Sequence, residues 1–253
     1  MHPYFIIFSR SVPAYGVMMM LGLVAAGSVG MVRVRRRGGR WEDATAILAC
    51  AFGFALAGAL GLYLAVTYSP EELSRMFLSG KLFFENQLGL VFYGGLLGAI
   101  PGAWLGARIA HAQLEDYIPA MVPCIPLGHA FGRIGCLLAG CCYGIPTTLP
   151  IGIAYPDGTP SAPTGVPLFP VQALESLILV GIFGILVLYT RRLRPARRVV
   201  GLYFLIYAVC RFCLENLRYD AIRGHLGILS TSQWISVALF LAGCALLCRR
   251  KVN

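Results

Sequence analysis

The amino-acid sequence predicts an all-α, polytopic integral membrane protein with seven transmembrane helices, its N-terminus outside and its C-terminus cytoplasmic. Three observations carry this expectation. Hydrophobic residues fill 58% of the 253 positions, and the mean hydropathy is +0.73. Charged residues make up 13%, about half the share of a soluble domain, too few to cover a soluble particle of this size. The apolar residues gather in runs that approach the ~20 needed to cross a bilayer, and clusters of arginine separate them.

The first span covers about Val12 to Val32 and stops at the RVRRR cluster. The second runs from about Thr45 to Val66. Ser69, Pro70, Glu71, Glu72 and Arg75 follow, then the amphipathic stretch MFLSGKLFF. The third span, about Leu88 to Ala107, ends at Arg108, and the fourth covers about Tyr117 to Gly140. The segment from Cys141 to Pro167 is too rich in Pro, Gly and Thr to span. The fifth, sixth and seventh spans are about Val171–Tyr189, Val199–Leu217 and Thr231–Leu247. The length suits a single membrane domain over residues 1–253. The opening MHPYFIIFSR lacks the features of a removable signal peptide.

A net charge of +10 could suggest nucleic acid, but its distribution argues against that partner. Arg33, Arg35, Arg36, Arg37 and Arg40 form one cluster. Arg191, Arg192, Arg194, Arg197 and Arg198 form a second, and Arg249, Arg250 and Lys251 a third. With the N-terminus outside, all three fall on the cytoplasmic side, as the bias of lysine and arginine toward that side requires. The outer loops are then 67–87, 141–170 and 218–230. Contact with anionic membrane lipids is a second use for such clusters.

Ionisable side chains inside spans are costly and point to function. Arg133 lies in the fourth span, Glu175 near the start of the fifth, and Arg211 and Glu215 in the sixth, with Arg218 one turn beyond. The spacing of Arg211, Glu215 and Arg218 puts them on one helix face. They form either a self-neutralising ladder or an anion site in which one guanidinium is left for a phosphate. Arg133 has no acidic neighbour within a turn; its partner is Glu175, Glu215 or a phospholipid headgroup. Cys136, Cys141 and Cys142 follow, as packing residues, as disulfide partners or as a thiolate activated by Arg133. The cysteine spacings match no zinc site, so no metal is expected. Tyr15 and Tyr93 lie near outer span ends, where tyrosine anchors at the interface. Asp116 reads as a helix N-cap. Gly94, Gly98, Gly102 and Gly106 share one face of the third span and suit close helix packing.

The order of motifs resembles the bacterial phosphatidylglycerol–prolipoprotein diacylglyceryl transferase family along nearly the whole chain. VPAYGVMMMLG is similar to the family's first-helix segment, and FYGGLLG resembles its HGGLIG-type motif. LEDYIPAMVP followed by GRIGCLLAGCCYG resembles its signature. FPVQALE resembles its HPxQLYE segment, and RFCLENLRYD and LSTSQWIS its last two helices. The resemblance implies a transferase of the bacterial inner membrane that works toward its outer side. It implies transfer of a diacylglyceryl group from phosphatidylglycerol to the lipobox cysteine of a prolipoprotein signal peptide, with glycerol phosphate released and no cofactor.

Carried over, Arg133 and Arg211 match the family's essential arginines, and Tyr15, Gly144, Asp116, Gln172, Glu175 and Glu215 match further positions. Gly94 and Gly95 match the glycines of the third-helix motif, and Arg218 adds a charge nearby. Four positions depart from the pattern. Tyr93 replaces the HGG histidine, Phe169 the histidine before the fifth-helix proline, Cys136 the asparagine after GRIG, and Cys141 the glutamate of the NGE segment. Tyr93 or a cysteine is then left to act as base. The alternatives are a cysteine-dependent lipid or headgroup transferase, a thiol oxidoreductase, and a non-catalytic lipid-binding protein.

Overall fold

A computed structural model describes residues 3–7, 10–79, 91–157, 159, 162–219 and 225–248. Helices dominate it, and the chain divides into two compact units, residues 1–33 with 118–253, and residues 34–117.

The first unit opens with an antiparallel hairpin of β1 (Tyr4–Ile7) and β2 (Arg10–Pro13), in register Tyr4 opposite Pro13. No hairpin was expected from the sequence, which shows no turn signal between these strands. Helix α1 (Ala14–Arg36) follows directly and crosses α6 (Ile125–Ala139) at glycines. A Cβ on Gly22 would stand 2.8 Å from the Gly128 carbonyl and from Phe131 Cβ, so only glycine permits this approach.

The expected fourth span is a helix in three pieces: α5 (Leu114–Met121), a 3-10 turn (Val122–Cys124) and α6. Pro123 has no N–H, so it cannot serve the Pro119 carbonyl one turn back. Arg33 takes that place. Its guanidinium donates to the carbonyls of Ala120 at 2.8 Å and Pro119 at 3.1 Å, and to Thr190 Oγ1 at 2.7 Å. A lipid-embedded helix has no water to satisfy such a carbonyl, and a side chain must do it.

Helix α7 (Val171–Tyr189) buries Leu179, Ile182 and Leu186 against Ala130 of α6, with Leu202, Tyr203 and Ile206 of α8 (Ala196–Glu215) packed beside them. The hairpin of β3 (His225–Leu226) and β4 (Leu229–Ser230) leads into α9 (Thr231–Cys248). The backbones of α8 and α9 meet at Gly201 and Gly243. The segment after α6 runs in short bridged stretches. Ile145 N–H donates to the Leu217 carbonyl at 3.0 Å, and Ile153 and Leu168 pair around a small core of Tyr155, Ala162 and Leu168.

The second unit packs α2 (Trp41–Thr67) against α4 (Phe92–Ile109). Between them, α3 (Pro70–Leu78) starts with a reciprocal capping box of Ser69 and Glu72. The amphipathic stretch expected here continues past residue 79, outside the described residues. Tyr117 Oη donates to Asp43 at 2.7 Å. Asp116 is the third residue of α5 rather than its N-cap. There its charge faces the positive end of the helix.

Among the described residues, five helical segments are long and apolar enough to cross a membrane: α1, α2, α5 through α6, α7 and α9. The other two expected spans fall short for physical reasons. Helix α8 carries Arg197, Arg198, Arg211 and Glu215, and α4 is diluted by glycine. Residues 88–90 and the basic cluster 249–251 lie outside the described residues. Leu97 and Ile100 in the second unit, and Leu177 in the first, are each more than 60% exposed, as suits side chains that face lipid.

The glycines of α4 form a seam against α2. A Cβ on Gly98 would overlap the Phe54 carbonyl, and one on Gly102 would lie 2.5 Å from the Cys50 carbonyl. Gly98→Val is expected to destabilise the protein by about 1–3 kcal/mol through overpacking. Gly181→Ala, with open space around it in the middle of α7, is expected to leave the thermal melt in detergent unchanged or raised.

Candidate active site

The costly charges of the first unit gather where the C-terminal ends of α6 and α8 meet the N-terminal ends of α7 and α9. Local sequence explains the convergence. Gly140, left-handed at φ +73°, ends α6 and turns the chain back, so that Cys141 N–H donates to the Cys136 carbonyl at 3.1 Å. Helix α8 ends at Glu215, and after a turn at Asn216 and Leu217 the chain runs beside the segment after α6, with Gly144 bridged to Arg218. A Cβ on Gly144 would stand 2.5 Å from the Phe169 carbonyl and 2.9 Å from the Leu217 carbonyl. The absence of a side chain there lets three backbone segments meet.

Glu175 is the hub, with a side chain only 3% exposed. Its Oε1 lies 3.1 Å from Arg133 Nε, and its Oε2 lies 3.9 Å from Arg218 Nη1. The Arg133 contact is an ion pair without a hydrogen bond, because the N–H is not aimed along it. Arg211 Nη2 meets Glu215 Oε2 at 2.7 Å and donates to Ser232 Oγ at 3.1 Å. Ser230 Oγ donates to Glu215 Oε1 at 2.8 Å. The helix face expected to carry Arg211, Glu215 and Arg218 together therefore divides: Arg211 pairs with Glu215, while Arg218 lies past the helix end and reaches toward Glu175. Arg211 Nη1 is buried and has no hydrogen-bond partner among the described residues.

Gln172 lies one turn before Glu175 on α7. Its Nε2 donates to the Cys141 carbonyl at 2.7 Å and to Tyr155 Oη at 3.3 Å. The Sγ atoms of Cys136, Cys141 and Cys142 all lie within 4.8 Å of one another. Hydrogen bonds from the other two thiols, then the charges of Arg218 and Arg133, hold the Cys142 thiol below the ordinary thiol range. Tyr15 packs against Gly135, where a Cβ would stand 3.1 Å from Tyr15 Cδ2. Tyr93, Gly94 and Gly95 belong to the second unit, where Gly94 packs on Gly58 and Leu62 of α2.

Several polar residues here were not singled out from the sequence. His129 stands one turn before Arg133, 5.8 Å from the Tyr207 ring, within electrostatic reach of both Arg133 and Arg211. Its spacing from Arg133 was the available signal. Ser230 and Gln233 form a reciprocal cap on α9: Ser230 N–H donates to Gln233 Oε1 at 3.0 Å, and Gln233 N–H to Ser230 Oγ at 3.2 Å. The pattern Ser-x-x-Gln before an apolar run announces such a cap. Ser230→Ala is expected to lower stability by about 1–2 kcal/mol, read from thermal unfolding in detergent.

Comparison with known proteins gives the family of the chain. The chain is 33% identical over 241 residues to the phosphatidylglycerol–prolipoprotein diacylglyceryl transferase of Clostridium tetani, covering 94% of this chain and 93% of that protein. A second protein of that name, from Clostridium perfringens, is 34% identical over 244 residues, covering 95% and 91%. The protein of that name from Nitratidesulfovibrio vulgaris is 32% identical over 246 residues, covering 94% and 89%. The family model for prolipoprotein diacylglyceryl transferase matches residues 3–249, and the chain belongs to that family.

Proposed function

We propose that the protein transfers a diacylglyceryl group from phosphatidylglycerol to the cysteine thiol of a prolipoprotein signal peptide. The observation that carries this reading is the pair Arg133 and Arg211, buried in a chain of this family and both within electrostatic reach of His129. Arg211 Nη1 is a buried donor with no hydrogen-bond partner among the described residues, which suits a ligand oxygen. A guanidinium is the side chain best shaped to grip a phosphate.

In this reading, a thiolate attacks the glycerol carbon of the diacylglyceryl group that bears the phosphate oxygen. The new C–S bond forms as that C–O bond breaks, and glycerol phosphate leaves with the bonding electrons. The leaving group gains negative charge in the transition state. Arg133 and Arg211 stabilise it in a site shielded from water, where such charges act strongly. Glu175 and Glu215 hold the two guanidiniums in place before the lipid arrives. Tyr15, Gly144, Gln172 and Arg218 shape the surroundings of the headgroup. Tyr93, with Gly94 and Gly95, stands in the family's base position, and tyrosine is a weak base near neutral pH.

Seven helices cross the bacterial inner membrane in this reading, with the N-terminus outside, the C-terminus cytoplasmic and the site toward the outer side. The hydrogen bond from Arg33 to Thr190 supports the orientation, because it joins Arg33 of the first arginine cluster to the residue directly before Arg191 of the second. Phosphatidylglycerol enters sideways between helices.

The test is turnover with phosphatidylglycerol and a lipobox peptide, following glycerol phosphate and peptide mass together. The expected product is a peptide heavier by one diacylglyceryl group. Arg133→Ala and Arg211→Ala are each expected to lower kcat by about 100- to 1000-fold, the usual effect of removing one group that stabilises transition-state charge. Tyr93→Phe is expected to cost far less. An unmodified peptide beside an active control enzyme would refute the assignment for that acceptor.

A further inference from the structure

Cys136, Cys141 and Cys142 are the one group of three or more His, Cys, Asp or Glu among the described residues whose donor atoms converge closely enough for a metal ion. Their sequence spacing has no metal-site form, which is why none was expected. The backbone creates the cluster instead. Gly140 turns left-handed at φ +73° and Cys142 does so again at φ +56°. A left-handed residue other than glycine is strained, and such strain collects at ligand clamps. The double reversal folds Cys141 and Cys142 back over the last turn of α6, onto Cys136. The Gln172 side chain pins the Cys141 carbonyl from α7 at 2.7 Å.

Distances and charges suit a thiophilic cation. Zinc–thiolate bonds of about 2.3 Å in tetrahedral geometry put the sulfurs about 3.8 Å apart. The three Sγ atoms already lie within 4.8 Å of one another, so a small closure completes the set. Three thiolates around a divalent ion leave one net negative charge, and Arg133 and Arg218 lie within electrostatic reach of Cys142 to balance it.

We propose that Cys136, Cys141 and Cys142 bind a zinc ion as three thiolates, and that the fourth position of the ion takes the thiol of the acceptor peptide. This rests on the transferase reading above and supplies what that reading lacks, a means of making the thiolate without the family's histidine. On binding zinc, the three cysteines release three protons. The incoming peptide thiol releases its proton to solvent as its sulfur coordinates. That sulfur then forms the C–S bond to the diacylglyceryl carbon, the C–O bond to phosphate breaks, and the thioether product, a poorer ligand, leaves the ion. No electrons are gained or lost by the metal.

The test uses the full-length protein purified under anaerobic conditions, with zinc counted per chain by mass spectrometry. Cobalt(II) is then exchanged in as a visible probe. The expected result is about one zinc per chain, lost at least tenfold in Cys136→Ser and Cys142→Ser and kept in Cys213→Ser. The cobalt protein should show thiolate charge-transfer bands, and a lipobox peptide should shift its visible bands while a serine-substituted peptide does not. Thermal melts of each variant separate loss of metal from loss of fold. Zinc no higher than in the triple-serine variant, or a disulfide among these cysteines in the active protein, overturns the proposal. Cobalt bands that ignore the peptide thiol overturn the acceptor role. Lipid transfer without zinc removes this proposal and leaves the transferase reading intact, whereas zinc binding with no transfer keeps the three-cysteine site and removes the transferase reading together with the acceptor role.

Discussion

The first unit depends on how one buried carboxylate is balanced. Glu175 lies near the start of α7, with its side chain almost wholly out of solvent, and Arg133 and Arg218 approach its two oxygens from different segments. A lone carboxylate at such a position would be too costly to keep ionised, and removing one partner of a buried pair is more disruptive than the pair is stabilising. The position of α7 is thus tied to the helix carrying Arg133 and to the segment after α8 that carries Arg218. Gln172, one turn earlier, ties the same helix to the cysteine turn through the Cys141 carbonyl. One turn of α7 therefore holds both the cationic side and the thiol side of the site.

A second pair, Arg211 with Glu215, is built differently. Both residues come from α8, and the outside support comes from Ser230 and Ser232 around the start of α9. Ser230 also caps α9, so that helix start and the orientation of Glu215 are set by one hydroxyl. In the transferase reading the two arginines approach the phosphate from separate frameworks, one anchored on α7 and one on α9.

Much of this was legible in the sequence. The helices of the expected spans appear within a few residues of where hydropathy put them, because long apolar runs between arginine clusters leave little choice. The charged residues inside those runs mark the candidate site, since an ionisable residue in a span is costly to bury. What was not legible came from backbone events that periodicity does not report. The helical reading carried Arg218 onto the face of Arg211, but α8 stops at Glu215. Asp116 looked like a cap because an acidic residue near a helix start serves as one or as a first-turn charge, and spacing alone does not separate the two. The convergence of the three thiols depends on two left-handed residues in succession around Cys141, a feature of φ rather than of composition.

Arg33 shows how a cluster counted for its charge can hide a member with another task. Its guanidinium stands in for the amide that Pro123 cannot offer, and it does so from a different helix. The break between α5 and α6 is thereby a property of two distant positions rather than of the proline alone. The two positions are physically coupled: a proline at 123 without the arginine leaves the Pro119 carbonyl without a donor, and an arginine without the proline keeps only its bonds to Ala120 and Thr190. A substitution at either position changes what the other must satisfy, although 90 residues of sequence separate them.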